Sequence, residues 1–371
     1  MGHKLSLLAF AIALSSCASA PVAPFLPVAA TAPGASGVEM LVATTRRQAP
    51  DEGELYSGER GGRLSFTNIV VSIPPDSARK IGEVEFATSS PGDPRTSFVA
   101  TRVNRLRLAD AGKWISRRAA ATPKHRALVF VHGFNNRFDD AVFRFAQLVH
   151  DSHAAVTPVL FTWPSRGSMF AYGYDRESAA ISRDALEQVL DLLVRDPAVD
   201  EVDILAHSMG NWLVIETLRQ MAIRDRHIPV KIDDVMLAAP DVDVDQFDGD
   251  IADMGKQHPR FTLFASKDDR ALALSGWIWG SDVRLGAVDP DVEPYKSRLA
   301  NDHVTVFNLA KLESLDYANH NKFVKSPELV QIIGDRLVAG GVLDDVHESL
   351  GDRLLEGAAG GLGAVEPVKS P

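Results

Sequence analysis

From residue 127 onward, short apolar runs alternate with longer amphipathic stretches. The apolar runs occupy residues 127–131, 157–162, 202–205, 234–238, 261–265 and 304–309. Apolar residues recur at helical spacing in residues 138–150, 177–194, 211–222 and 327–338. Uninterrupted apolar strands are typical of sheets buried on both faces, and in α/β proteins such strands alternate with helices. The pattern therefore predicts an α/β fold, with a mostly parallel sheet covered by helices on both faces.

The preceding region has the pattern of a β-rich segment. Strand-like runs occupy residues 38–45, 64–73, 81–88 and 98–108. Turn-forming residues separate them, so they predict an N-terminal antiparallel β extension. No linker-like stretch divides this extension from the parallel part, and we interpret residues 38–345 as one domain. The C-terminal tail at residues 346–371, which is Gly-rich from residue 357, is expected to be partly disordered.

The N-terminus has the pattern of an export signal. The apolar run at residues 5–14 follows Lys4 and is too short to span a hydrocarbon layer of about 30 Å, so residues 1–16 are expected to be a signal peptide. Cys17 follows Leu-Ser-Ser and resembles the lipobox cysteine of bacterial lipoproteins, which carries a diacylglycerol after cleavage. Residues 17–37 are then a lipidated cysteine and flexible tether. We expect a lipid-anchored protein of the bacterial cell envelope, in the outer membrane facing the periplasm; a plain secreted protein is the alternative.

The charge balance bears on the partners. The chain has 39 Lys and Arg against 49 Asp and Glu, which gives a formal net charge of −10. A surface of this sign repels phosphate backbones, so we expect no nucleic-acid partner. The sequence has no metal-binding, phosphate-binding or dinucleotide-binding motif, so no cofactor and no metal are expected.

A serine stands at the turn between a predicted strand and a predicted helix. The segment AHSMG at residues 206–210 follows the strand at 202–205. It is a nucleophile elbow of the form G-x-S-x-G with alanine at the first position, and the flanking residues must be small because the serine occupies a strained turn. The sequence therefore predicts Ser208 as a catalytic nucleophile.

A nucleophilic serine needs an acid that orients its base, and in this arrangement the acid comes later in the chain. Asp269 follows the predicted strand at 261–265, at the end where parallel sheets place their sites. We take Asp269 as the acid. Asp268 beside it and Asp241, after the preceding strand, are open alternatives.

The base must be a histidine near the carboxyl end of the sheet. His320 lies in the loop after the last predicted strand and is our candidate, whereas His303 precedes that strand and lies at the wrong end. The oxyanion hole needs two backbone N–H groups, one from Met209 after the nucleophile and one from the loop after an earlier strand. Phe134 follows His-Gly in such a loop and is predicted to supply the second.

Residues 38–338 resemble a family of bacterial α/β-hydrolases of uncharacterised function within the esterase/lipase superfamily. The matching segments are VHGFN at 131–135, TWPSRG at 162–167, YDRESA at 174–179, AHSMG at 206–210, SKDDRAL at 266–272 and NH at 319–320. The resemblance implies the α/β-hydrolase fold and a triad of Ser208, Asp269 and His320. It implies no particular substrate.

These residues predict a serine hydrolase that cleaves carboxylic esters, or related acyl substrates such as thioesters or amides, through an acyl-enzyme. The expected partners are a small or lipid-like acyl ester and, through the anchor, a membrane. The alternative is a catalytically silent envelope lipoprotein that uses the fold as a binding or scaffold module.

Several aromatic residues follow strands at the expected catalytic edge. Phe170, Tyr172 and Tyr174 are predicted to lie in the loop after residues 157–162, where they either line an acyl pocket or pack on the next helix. Trp277 and Trp279 follow the acid loop and are candidates for a lid or a membrane-facing lip.

Overall fold

A computed structural model of the chain describes residues 24–29, 31–278, 283–311 and 326–339. The strands are β1 (Ser36–Gln48), β2 (Tyr56–Ile73), β3 (Val99–Leu106), β4 (Arg126–Val131), β5 (Thr157–Thr162), β6 (Glu201–His207), β7 (Ile232–Ala238), β8 (Arg260–Ala265) and β9 (Thr305–Asn308). The helices are α1 (Leu108–Ala120), α2 (Phe138–Asp151), α3 (Tyr172–Ile181), α4 (Arg183–Val194), α5 (Met209–Asp225), α6 (Val244–Met254), α7 (Arg270–Ile278), α8 (Tyr295–Asn301) and α9 (Pro327–Ala339).

The strands form one sheet in the order β3-β2-β1-β5-β4-β6-β7-β8-β9. β1 pairs with β2 antiparallel and with β5 parallel, so the β-rich N-terminal segment continues the same sheet. Among the strands of the described residues, β2 alone runs against the others. The mostly parallel sheet with an antiparallel extension is therefore confirmed.

Alternation along the central strands divides the core into two layers. On β4, Val129 contributes to the cluster that contains side chains of α1, α4, α5 and α6, whereas Phe130 contributes to the cluster under α2 and α9. Successive strand residues point to opposite faces, and both faces are covered. This explains why every residue of β4 is buried.

The structure differs from the sequence prediction in three respects. Residues 81–88 form turns and loop rather than a strand; Phe86 packs its ring against Phe143 of α2, so this segment covers a helix instead of extending the sheet. The sequence pattern did not predict the helices α1, α6, α7 and α8. The predicted helix at 177–194 is two helices, α3 and α4, which meet at Ser182, whose hydroxyl donates to the carbonyl oxygen of Ser178.

Part of the expected tether contacts the domain. Within residues 24–29, Phe25 is buried, with its ring 5.1 Å from that of Phe138 and 5.6 Å from that of Phe143. Cys17 and the expected signal peptide lie outside the described residues. In the part of the chain that the structure describes, no helix has both the length and the apolar character needed to cross a bilayer.

Candidate active site

Ser208 stands between β6 and α5 in a conformation that side chains rarely adopt. Its φ is 52° and its ψ is −121°, and a residue other than glycine in such a region costs about 1–3 kcal/mol. A Cβ at Gly210 would lie 2.5 Å from the carbonyl oxygen of His132, so the position two residues after the serine requires glycine. The backbone of a nucleophile elbow, predicted from the AHSMG segment, is present.

Hydrogen bonds hold this strained turn against the neighbouring strand β7. The Ser208 N–H donates to the carbonyl oxygen of Ala238 over 3.0 Å. The Asn211 amide donates from Nδ2 to the carbonyl oxygens of Ser208 and Ala238, at 3.0 and 2.9 Å. The Asp241 N–H donates to the carbonyl oxygen of Ser208 at 3.2 Å. These bonds satisfy backbone groups that the sharp turn removes from the sheet ladder.

The loop after β4 lies directly against the serine. A Cβ at Gly133 would be 2.8 Å from the Ser208 Cβ and 3.1 Å from the His207 Nδ1 atom. Asn135 has a φ of 57°, which asparagine tolerates better than most residues. The structure thus brings the predicted oxyanion loop and the predicted nucleophile together.

His132 sets the orientation of the Gly133–Phe134 peptide. The Trp163 N–H donates to His132 Nε2 at 3.2 Å, so Nε2 accepts and the ring proton lies on Nδ1. Nδ1 then donates to the carbonyl oxygen of Gly133 at 2.9 Å. In a trans peptide the N–H points opposite to the carbonyl, so the Phe134 N–H points away from the His132 ring.

Burial and the nearby charge of Arg46 keep His132 neutral. Burial, and then the adjacent Arg46 guanidinium, lower the pKa of His132 to about 3. Arg46 is itself buried and donates to Thr162 Oγ1 and to the carbonyl oxygens of Ser165 and Asn136, each at 2.8 Å. Arg46 therefore joins the loop after β4 to the loop after β5 through their carbonyl groups.

Asp175 joins the same two loops through their N–H groups. Its carboxylate accepts from the Ser165 hydroxyl at 2.5 Å, from the Arg166 N–H at 3.0 Å and from the Asn135 N–H at 3.4 Å. Burial raises the pKa of Asp175, while these hydrogen bonds and the charge of Arg46 oppose the shift. The sequence analysis includes Asp175 in the YDRESA segment but predicts no role for it or for Arg46, because the contacts that join the two loops are made between distant segments.

The acid candidates differ in burial and partners. Asp269 follows β8, is buried, and accepts the Leu272 N–H at 3.0 Å in the first turn of α7. Asp268 is exposed and accepts from the Ser266 hydroxyl. Asp241 is buried and accepts the hydroxyls of Tyr172 at 2.6 Å and Ser275 at 2.8 Å, with Arg284 Nε 3.4 Å away.

The predicted base, His320, lies outside the described residues, so the structure does not place it relative to Ser208 or Asp269. The strand β9 ends beside β8, with Asn308 opposite Ala265, so the chain leaves β9 at the edge where Ser208 lies. His303 precedes β9 at the opposite edge, as expected from the sequence.

The aromatic residues after β5 divide into different roles. Tyr172 and Tyr174 lie in α3 rather than in a loop, which corrects the prediction. The Tyr172 ring packs 5.0 Å from that of Phe134, and burial together with the charge of Asp241 raises the pKa of Tyr172 to about 12. Tyr174 instead lies under the guanidinium groups of Arg60 and Arg166, 4.5 and 3.6 Å from its ring centre. Trp279 lies outside the described residues.

A comparison with protein families identifies the family of this chain. The family model described as an alpha/beta hydrolase of unknown function (DUF900) matches residues 108–336, more than half of the chain. No curated protein matches significantly.

The chain also matches several solved structures at low sequence identity. A CIB-like hydrolase from Thermoplasma acidophilum is 19% identical, with a TM-score of 0.36, over 58% of this chain and 87% of that one. An esterase from Rhizomucor miehei is 12% identical, with a TM-score of 0.37, over 82% of this chain and 84% of that one. Carboxyl esterase 2 from Tuber melanosporum is 15% identical, with a TM-score of 0.34, over 58% and 78%.

Proposed function

We propose that this chain, which belongs to the DUF900 family of α/β-hydrolases of unknown function, is a serine hydrolase that cleaves carboxylic esters through an acyl-enzyme. The observation that carries the proposal is the conformation of Ser208, a strained turn packed against Gly133 of the loop after β4. Strain of this kind persists where the surrounding structure imposes it, and it clusters at functional sites.

In the proposed mechanism, the Ser208 hydroxyl attacks the acyl carbon while His320 takes its proton. Asp269 orients His320 and stabilises its charged form. The negative charge that develops on the substrate oxygen is held by the N–H groups of Phe134 and Met209. The alcohol leaves with the proton from His320, and water then releases the acid by the same steps in reverse. Thioesters and amides are further substrates to which the same residues apply.

Two features support the oxyanion role of Phe134 and Met209. The His132 bond to Gly133 leaves the Phe134 N–H directed away from the ring. Met209 is the first residue of α5, where N–H groups have no partner within the helix and the helix dipole favours negative charge.

Asp269 is our preferred acid because both carboxylate oxygens of Asp241 already accept hydroxyls from other elements. We expect Asp269→Asn to lower kcat by about 10⁴-fold, the magnitude of losing a triad acid. Asp241→Asn is expected to reduce activity far less and to lower the melting temperature. A larger loss of kcat in Asp241→Asn than in Asp269→Asn would reverse the assignment.

The proposed nucleophile is tested by fluorophosphonate labelling and intact mass. Wild type is expected to take up one adduct, and Ser208→Ala and His320→Ala none. Ser89→Ala, which changes an exposed serine before β3, is the matched control and should label like wild type. A folded wild type that takes up no adduct and hydrolyses no p-nitrophenyl ester would reject the enzyme in favour of a binding or scaffold module.

We also propose that the protein is an envelope lipoprotein, exported and anchored through acylated Cys17. The support is the sequence pattern: an apolar run of signal-peptide length, a lipobox-like cysteine and no other cysteine in the chain. Several acyl chains on one residue give stable membrane binding, which a single chain does not. Cys17→Ser is expected to move the protein from the membrane fraction to the soluble fraction, and an unmodified Cys17 in the mature protein's mass would reject the anchor.

A further inference from the structure

Pro24 lies at the edge of the sheet where Ser208 lies. Pro24 lines a pocket together with Arg137, which follows the loop after β4, and with Ser165 and Arg166, which follow β5. The carboxyl ends of the parallel strands define this edge, and the proposed catalytic residues follow those same ends.

Phe25 fixes the N-terminal segment at this position. Its N–H donates to the carbonyl oxygen of Gly53, in the turn between β1 and β2, over 2.9 Å. Its buried ring contacts Phe138, the first residue of α2, which follows the loop containing Phe134. From Phe25 onward the chain is therefore held on the domain and does not act as a flexible tether.

The same edge carries the most exposed aromatic side chain in the described part of the protein. Phe170 is fully exposed and Met169 is 66% exposed, in the short turn between β5 and α3. The opposite edge also has an exposed apolar residue, Val230, which is 93% exposed and precedes β7. Val230 therefore provides a matched reference on the side away from Ser208.

The distance between anchor and domain is short. Residues 18–23 separate Cys17 from Pro24, so even a fully extended chain spans at most about 25 Å. A domain of about 300 residues is roughly 50 Å across. If the opposite edge faced the bilayer, Pro24 would lie about 50 Å from the membrane, which is about twice the length that residues 18–23 can span.

We propose that the lipid on Cys17 holds the domain with its catalytic edge facing the bilayer, and that Met169 and Phe170 enter the membrane interface. The substrates would then be acyl esters that reside in the membrane, delivered to Ser208 from the lipid surface. This inference rests on the proposed function, both on the acylated cysteine and on the hydrolase. Exposed aromatic and aliphatic side chains are those that partition into the interface.

Orientation is measured without catalysis. The acylated full chain is reconstituted in vesicles of phosphatidylethanolamine and phosphatidylglycerol, and an environment-sensitive fluorophore is attached to Phe170→Cys or Val230→Cys. Acylation blocks Cys17, so the introduced thiol is the only one free. Doxyl-labelled lipids are expected to quench the probe at position 170 and not at 230. Equal quenching, no quenching at 170, or an unacylated Cys17 would overturn the inference.

Substrate delivery is measured with the same vesicles. Phe170→Ser is expected to lower kcat/KM for a long-chain ester embedded in the vesicles about 10-fold, the effect of losing one buried aromatic contact, and to leave soluble p-nitrophenyl acetate unaffected. Val230→Ser should match wild type on both. Hydrolysis of the embedded ester by Phe170→Ser at the wild-type rate would overturn the delivery role while leaving the hydrolase intact. Quenching of the probe in Phe170→Cys, together with a wild type that hydrolyses neither ester, would reject the hydrolase and support the orientation.

Discussion

A Cβ atom at Gly133 would lie 2.8 Å from the Cβ atom of Ser208, closer than side chains approach in folded proteins. The loop after β4 and the nucleophile elbow are therefore packed backbone to backbone. A hole for a developing oxyanion requires such proximity, because its donors come from both segments.

Gly133→Ala should reduce kcat strongly. The added methyl group displaces either the loop or Ser208, and a misplacement of about 1 Å costs about 100-fold in rate. Ester hydrolysis and thermal melting of the variant check this expectation. Gly249→Ala is the control, since a Cβ at Gly249 in α6 meets nothing within 4 Å and should stabilise the helix by about 0.5–1 kcal/mol. Activity of Gly133→Ala within a factor of two of wild type would contradict the proposed arrangement.

Asp175→Asn should lower kcat about 10- to 100-fold and leave KM within about two-fold, because a displaced oxyanion loop weakens transition-state binding more than substrate binding. The amide has one acceptor oxygen in place of two, and when that oxygen stays on the shorter bond to the Arg166 N–H, the Asn135 N–H loses its partner. Hydrogen–deuterium exchange of residues 132–136 should accelerate in the variant, which reports on the loop independently of turnover.

Asp151→Asn is the control for Asp175→Asn. Asp151 lies at the far end of α2, where its carboxylate accepts the Gly82 N–H at 2.9 Å and pairs with Arg79. Its loss is expected to lower the melting temperature without changing kcat. Equal loss of kcat in both variants would indicate a general effect of destabilisation rather than a role for Asp175 in positioning the loop.

Asp203 makes the stability pH-dependent. Burial, only partly offset by Arg126, raises the pKa of Asp203 to about 7. Between about pH 4, where an unfolded aspartate titrates, and pH 7 the folded state binds more protons than the unfolded state. Stability from this group therefore falls as pH rises through that window, by up to about 1.4 kcal/mol per unit.

Asp203→Asn is consequently expected to raise the melting temperature relative to wild type at pH 8 and to have less effect, or the opposite effect, at pH 5. Arg126 keeps its ion pair with Glu201 in the variant. Asp200→Asn, which changes an exposed carboxylate directly before β6, should change the melting temperature equally at both pH values. A difference in melting temperature between wild type and Asp203→Asn that stays constant from pH 5 to pH 8 would contradict the raised pKa of Asp203.

Tyr172→Phe should lower the free energy of unfolding by about 1.5–3 kcal/mol, the range for a hydrogen bond to a charged group. The lost hydroxyl donates to buried Asp241 at 2.6 Å. Tyr174→Phe is the control from the same helix, since its hydroxyl makes long contacts of 3.3 and 3.4 Å with Gly58 and Glu59 at a partly exposed position. Urea denaturation of the two variants compares them directly, and equal stabilities would show that the Asp241 bond contributes little.

The sequence by itself determined the parallel part of the sheet and the elbow at Ser208. Both signals are local in the sequence. Every residue of β4 after Arg126 is apolar, and the AHSMG segment has small residues within a single turn. Residues 81–88 show the limit of that reasoning, because their alternation fits a strand while their packing partner is α2.

Only the tertiary structure decided which polar residues surround the oxyanion loop. Arg46 reaches Ser165 across 119 positions, and Asp175 reaches Asn135 across 40. The docking of Phe25 on α2 is likewise a contact between distant segments. Such contacts depend on how strands order within the sheet and how loops meet at its edge. A single sequence contains no periodic signal for them, because the energy that selects them is that of burying and pairing groups brought together by the whole fold.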